Sequence, residues 1–213
     1  MIQKERVLLT SISRTPREAT YFLSDKTAIA NQSPLALIQL LGRQDLPEKI
    51  IILCTDEIKN EQFAYAKELM LKGLEKRDVH VNSNAITDLS IPNGETPQEL
   101  WEILKAILDH VPSGVNLTLD ITHGFRSFPF VFFTAAIFLE ALRDVKINAV
   151  YYGMLSEDQG PMVDLSLVLD MVKWFYATRI FKETGQAYHL NELLAKLEIP
   201  PTGLSDRARA PYS

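Results

Sequence analysis

The stretch LDITHGFRSFPFVFF, Leu119 to Phe133, passes from strand-type residues through a polar turn and straight into an apolar helical run. Between Asp120 and Arg126 it places Asp, Thr, His, Gly and Arg. Such a junction is either a tight structural corner or a place where a ligand meets the ends of a strand and a helix. Gly124 can bring the backbone close to a ligand or supply a positive φ. The N-terminus of the following helix offers free N–H groups and the positive end of a macrodipole, which favour an anion. Arg126 adds a forked donor suited to phosphate, and Thr122 and His123 add further donors. Asp120 would repel a phosphate, so it is assigned as a structural acceptor that ties down N–H groups of the loop.

Working outward, apolar strand-like runs alternate with amphipathic segments. RVLLTSIS (Arg6 to Ser13) reads as a buried first strand, and ATYFL and KTAIAN as a small β-hairpin around SDK. Ser33 before Pro34 reads as an N-cap with proline at the first helical position, and that helix is expected to stop at Gly42. KIIILCT (Lys49 to Thr55) is the second strand, followed by a helix from about Asn60 to Lys76. DVHVNSNAI (Asp78 to Ile86) is expected to be a third strand, near an edge. Thr96, Pro97 and Glu99 form a capping box that starts a helix with Trp101, Leu104, Ile107 and Leu108 facing inward. VNLTLDI is the fourth strand and KINAVYYGM the fifth, with PMVDLS a further strand or loop. Helices over Leu167–Thr184 and HLNELLAKL follow.

This order predicts an α/β fold: a doubly wound, mostly parallel sheet with a small β-hairpin insertion and C-terminal helices. The expected domains are 1–165 as the ligand-sensing part, 166–198 as its helical extension and 199–213 as a linker or disordered tail. Three polar clusters then share the carboxyl edge of the sheet, where open α/β sheets bind ligands. They are Ser11, Ser13, Arg14 and Thr15; Thr55, Asp56 and Glu57; and Asp120 to Ser127.

Composition narrows the chemistry. The 213 residues carry a net charge of -5 and a pI of about 5.4, without the basic stripe that duplex nucleic-acid binding uses. A small anion needs only local donors. The single cysteine, Cys54, permits no disulfide within the chain and reads as core filling. The start MIQKERVLLTSIS has too short an apolar run for a signal peptide. FPFVFFTAAIFLEAL contains Pro129 and Glu140 and falls short of a membrane span. The expectation is a cytoplasmic protein without membrane contact. His80, His110 and His189 are scattered, so no metal site is expected. No phosphate-binding lysine loop, Gly-x-Gly-x-x-Gly or Gly-x-Ser-x-Gly occurs, and no cofactor is expected. The pair Asp56-Glu57 reads as a helix N-terminal charge pair.

LDITHGFRSFPF closely resembles the strand–turn–helix hallmark of CRISPR-associated Rossmann-fold (CARF) domains, the sensors of type III CRISPR accessory proteins. VLLTSIS, KIIILCTDE, NGETPQELWEIL, VYYGM and PMVDLS match the same pattern in order, so the resemblance covers roughly residues 4 to 195. It implies a Rossmann-like homodimer that binds cyclic oligoadenylate, such as cyclic tetra- or hexa-adenylate, across its two-fold axis. By that match Ser11, Ser13, Arg14 and Thr15 line the pocket from one loop, and Thr122, His123, Gly124, Phe125 and Arg126 from the other. Thr55, Asp56, Glu95 and Met154 are further ligand neighbours. Some CARF domains also cleave their ligand as ring nucleases by metal-independent 2′-hydroxyl attack. Ser11, His123 and Arg126 are the catalytic candidates if this one does, with binding ranked ahead of cleavage.

Relatives couple the sensor to an effector such as a HEPN ribonuclease, whose Arg-x(4–6)-His signature is narrower than the spacing of Arg179 and His189. The expectation is a sensor module, standing alone or controlling an effector that follows Ser213. Two other classes are alternatives. A Rossmann-like transcription regulator would need a DNA-reading helix, and LNELLAKL offers only Lys196. A mononucleotide-binding enzyme would have a pocket within one monomer.

Overall fold

In the structure, a computed structural model that describes residues 4–196, the decisive element is β1, Arg6–Ser11. Five of its six residues are buried, which fits a central parallel strand covered on both faces. It pairs in parallel with β4 (Lys49–Cys54) on one side and β6 (Asn116–Asp120) on the other. Beyond β4 lies β5 (Ile86–Ser90), and beyond β6 lies β7 (Lys146–Gly153), both parallel to their neighbours. β8 (Gln159–Asp164) runs antiparallel to β7 and carries the hairpin of β2 (Ala19–Leu23) and β3 (Lys26–Ala30). The eight-stranded order is β3-β2-β8-β7-β6-β1-β4-β5.

Helices cover both faces. Because side chains alternate along a strand, Val7 and Leu9 join the core on one face and Leu8 the core on the other. The first core takes α4 (Pro97–His110) and α5 (Phe128–Arg143). The second takes α1 (Ser33–Leu40), α3 (Ala64–Glu75) and the hairpin, with Cys54 fully buried in it. Burial pushes the Cys54 thiol up to about 12, with Asp88 adding to the shift, so it is inert filling. This is the doubly wound, Rossmann-like α/β architecture.

Several local expectations need correction. Ser33 is the first residue of α1 and not its cap; the cap position is Gln32, and Ser33 spends its hydroxyl elsewhere. α1 ends at Leu40, and Gly42 has an ordinary φ of -64. Arg77 closes that end by donating to the carbonyls of Gln39 (2.5 Å) and Leu41 (2.8 Å). The helical segment after β4 begins at once, as α2 (Asp56–Ile58) and a π turn (Lys59–Phe63) that leads into α3. The third strand is Ile86–Ser90, downstream of the valines at 79 and 81. It is an edge strand, as expected. Thr96 caps its helix as expected, its Oγ1 accepting from the Glu99 N–H (3.2 Å), but the Glu99 carboxylate reaches back to the Glu95 N–H and not to that of Thr96, so only half of the capping box forms. Trp101, however, points outward and is 66% exposed, while Ile103 takes the inner position.

The chain divides into two compact units, Met1–Leu169 and Asp170–Ser213, with the division inside α6 (Ser166–Thr184). Within the second unit, α7 (Tyr188–Lys196) and α6 border a cleft of about 240 Å³ lined by Tyr176, Ala177, His189 and Leu193. The expectation for residues 199–213 lies outside the described residues. Among the described residues, no helix is long and apolar enough to cross a membrane.

Candidate functional site

From β1 the chain moves outward through β4 and β5, then crosses to the other side of β1 to lay down β6 and β7. The switch point lies between the carboxyl ends of β1 and β6, where doubly wound sheets bind ligands. The sequence places Thr10-Ser11 at one of those ends and Asp120 at the other, in register one step beyond the Leu9–Leu119 pair.

Asp120 is fully buried and accepts four hydrogen bonds. Thr10 Oγ1 (2.8 Å) and Ser33 Oγ (2.6 Å) donate to Oδ2. The Thr122 N–H (3.1 Å) and Thr122 Oγ1 (2.6 Å) donate to Oδ1. A buried carboxylate is tolerable only with such satisfaction, and its position at the start of α1 adds a favourable dipole. Its charge also reaches Tyr21, whose hydroxyl is held up at about 12 by burial first and Asp120 second. Thr122 Oγ1 in turn accepts from the Gly153 N–H (2.8 Å), linking the turn to the end of β7.

The turn itself is pinned by its neighbours. Ser11, 1% exposed, donates its hydroxyl to the His123 carbonyl (2.5 Å). The His123 ring points inward, and Nε2 accepts from the Ser33 N–H (3.1 Å), which a protonated nitrogen could not do. Burial lowers the His123 pKa, with Asp120 opposing the shift, so the ring is neutral with its proton on Nδ1. Ser11 and His123, two of the cleavage candidates, are therefore engaged in holding the corner together. Gly124 has φ +105, and a Cβ there would meet the Phe128 ring at 2.5 Å. Gly124→Ala should therefore cost about 1–3 kcal/mol from the backbone alone, and chemical denaturation measures it.

The structure relocates the anion-binding potential. At the start of α5 the Phe128 N–H goes to the Phe125 carbonyl, Pro129 has none, and Phe130 and Val131 both bond the Ser127 carbonyl. The helix end expected to offer free donors is thus closed by a tight turn. The open donors lie just before it. Among the described residues, the N–H groups of His123, Gly124, Phe125, Arg126 and Ser127 have no partner. Consecutive unpaired N–H groups in a turn form an anion-binding concavity. The exposed side chain of Arg126 likewise has no ion pair or hydrogen bond among the described residues.

The facing loop follows β1. Gln32, 2% exposed, grips Ser13 by accepting from its N–H (2.7 Å) and donating to its carbonyl (3.0 Å). Ser13 Oγ accepts from the Thr15 N–H (3.2 Å). Arg14 is exposed and bonded to Glu57 and Glu61. Thr55 is buried at the end of β4, Asp56 is exposed at the start of α2, and Met154 is 56% exposed just past β7. Glu95, between β5 and α4, is exposed and donates its N–H to the Glu99 carboxylate (2.7 Å). All these positions follow strands whose carboxyl ends share one edge of the sheet. Thr10, Gln32 and Ser33 were not legible as site residues. Thr10 sits inside an apolar run, Ser33 resembles an ordinary cap, and Gln32 carries no motif.

The family described as "CRISPR system endoribonuclease Csx1, CARF domain" matches residues 8–155, more than half of the chain and all of the corner just described. The chain belongs to this CARF family. A similar protein is "CRISPR-associated protein MJ1674" of Methanocaldococcus jannaschii, 29% identical over 149 residues, covering 64% of this chain and 24% of that protein. The match thus spans about a quarter of that relative's length. The CARF match ends at Leu155, before β8 and the C-terminal helices.

Proposed function

We propose that this CARF domain is a homodimeric sensor that binds a cyclic oligoadenylate across its two-fold axis in type III CRISPR antiviral signalling, and that it controls an effector. The observation that carries the proposal is the run of N–H groups from His123 to Ser127 that, with the adjacent Arg126 side chain, have no partner among the described residues, at the switch point of the sheet. Such a corner supplies local positive potential in an acidic protein. A symmetric ring of phosphodiesters then fits two such corners facing each other.

Support for the dimer comes from α5. Its inner stripe of Phe128, Val131, Phe132, Ala135, Ala136 and Leu139 is buried, yet Phe130 (77%) and Phe138 (40%) lie exposed on other sides, and Leu142 (69%) is exposed in the last turn. A helix apolar all round is one that has both faces covered. Beside it, Trp101 and Leu104 of α4 join Phe130, Val131 and Thr134 around an apolar groove of about 470 Å³. Ser127 lines the same groove, so a partner seated there approaches the turn.

The test is a thermal-shift panel with cyclic tri-, tetra- and hexa-adenylate against linear AMP and ATP. The cognate ring at ~100 times its Kd should add about 2.7 kcal/mol of apparent stability; no shift with any ring defeats the reading. Arg126→Ala should lose a charge-assisted phosphate contact worth about 1.5–3 kcal/mol, roughly 10- to 150-fold in affinity. Unchanged affinity removes Arg126 from the site.

A further inference from the structure

The two arginines at the corner are in opposite states. Among the described residues Arg126 has no partner, whereas Arg14 Nη1 lies 2.8 Å from a Glu57 carboxylate oxygen and its Nε 3.3 Å from one of Glu61. Two of the three guanidinium nitrogens are thus already on carboxylates. The cluster of one cation and two anions is net negative, which opposes an incoming phosphodiester.

The carboxylates are also placed on an unusual segment. Glu57 belongs to α2, and Glu61 to the π turn that directly follows it; single π turns inside helices occur frequently at functional sites. On its other side the turn is moored by Lys59, whose ammonium donates to Asp88 (2.7 Å) and Ser90 (3.2 Å) at the end of β5. The segment therefore bridges the edge of the sheet to the loop after β1. On that loop, Ser13 is clamped by Gln32, so Arg14 can swing while its backbone stays near the corner. The Arg14, Glu57 and Glu61 side chains are 56%, 64% and 48% exposed. Ion pairs that exposed are weakly held, which suits a contact meant to open.

We infer that Glu57 and Glu61 form an autoinhibitory latch on Arg14, which an anionic ligand must displace before Arg14 grips its phosphate. The inference rests on the proposed reading of the site. Release of Arg14 frees the α2–π segment on one side, so capture of the ligand changes the restraint on residues 56–63. The latch sets affinity: it makes the site reject weak or singly charged anions that cannot outcompete two carboxylates.

Two measurements test it. First, isothermal titration of cyclic tetra-adenylate into the wild type, Glu57→Gln/Glu61→Gln and Glu18→Gln; if the panel selects a different ring, that ring is used. The double variant should bind about tenfold more tightly. Glu18→Gln, which removes an exposed carboxylate from the same loop, should change little. Unchanged or weaker binding by the double variant, or an equal gain from Glu18→Gln, overturns the latch. Second, hydrogen exchange on the ligand-free protein: Arg14→Ala should speed exchange of the amides of residues 56–63 severalfold. Unaltered protection there overturns the latch whatever the first experiment gives. A wild type that binds no ring defeats the sensor reading instead, and the exchange result still judges the latch.

Discussion

Asp120→Ala should lower the unfolding free energy by about 4 kcal/mol. Thermal denaturation should show a fall in Tm of roughly 10 °C, given about 2–4 °C per kcal/mol for a chain of this size. The carboxylate is fully buried and accepts from Thr10, Ser33 and twice from Thr122. Truncation leaves those donors facing a cavity. A hydrogen bond to a charged group contributes about 1.5–3 kcal/mol, and an orphaned buried polar group costs about 1–3 kcal/mol. The effects overlap, so the total lies below their sum. Asp120→Asn separates charge from shape. Its amide oxygen keeps the Thr122 contacts, and its NH2 can donate to the Thr10 and Ser33 hydroxyls once they rotate, Thr10 having the Ser11 carbonyl (3.0 Å) as an alternative acceptor. Asn should therefore cost less than half of what Ala costs. Equal losses for the two would mean that the buried charge, and not the donor pattern, holds the corner.

That network also shows how far the sequence could be read. The alternation of apolar runs and amphipathic segments specified the parallel sheet, because each strand buried on both faces reads as a continuous apolar run. β4 shows five buried residues in six. Where a strand sits at an edge the signal weakens. Val79 and Val81 lie only half buried against the second core, whereas the strand itself, ITDLS, is polar at three of its five positions. Asp120 was legible as a structural acceptor, since a carboxylate beside an anion site has no other favourable role. Its partners were not. Thr10 and Ser33 lie 110 and 87 residues away in sequence, and only the crossover of the fold brings their hydroxyls to one carboxylate. The apolar run from Phe128 was read correctly as a helix. It could not reveal that the residues before it close the helix end, and that the open N–H groups lie upstream.

If the domain dimerises through α5 as proposed, Phe130→Asp should leave the monomer folded and weaken dimerisation by about three orders of magnitude, taking ligand affinity down with it. Phe130 is 77% exposed, so its removal costs the isolated domain little. The change falls in the first turn of α5, where the macrodipole favours an acidic residue. Across an isologous interface every substitution acts twice. A central aromatic anchor is worth at least about 2 kcal/mol per copy, hence about 4 kcal/mol per dimer, or roughly a thousandfold in the dimer Kd. Sedimentation at concentrations bracketing the wild-type transition measures this directly. An aspartate four residues from Arg126 also repels a phosphate, so a second variant must act at a distance. Leu142, 69% exposed, lies twelve residues along the helix, about 18 Å away. Leu142→Lys places a cation in the last turn of α5, again the charge that end favours. If the dimer seam runs on from Phe130 to the last turn of α5, Leu142→Lys dissociates the dimer and weakens ring binding without touching the corner. If Leu142→Lys leaves the dimer intact and only Phe130→Asp impairs binding, the seam is confined to the groove beside Trp101. If both variants remain dimeric, the two copies join through a different surface.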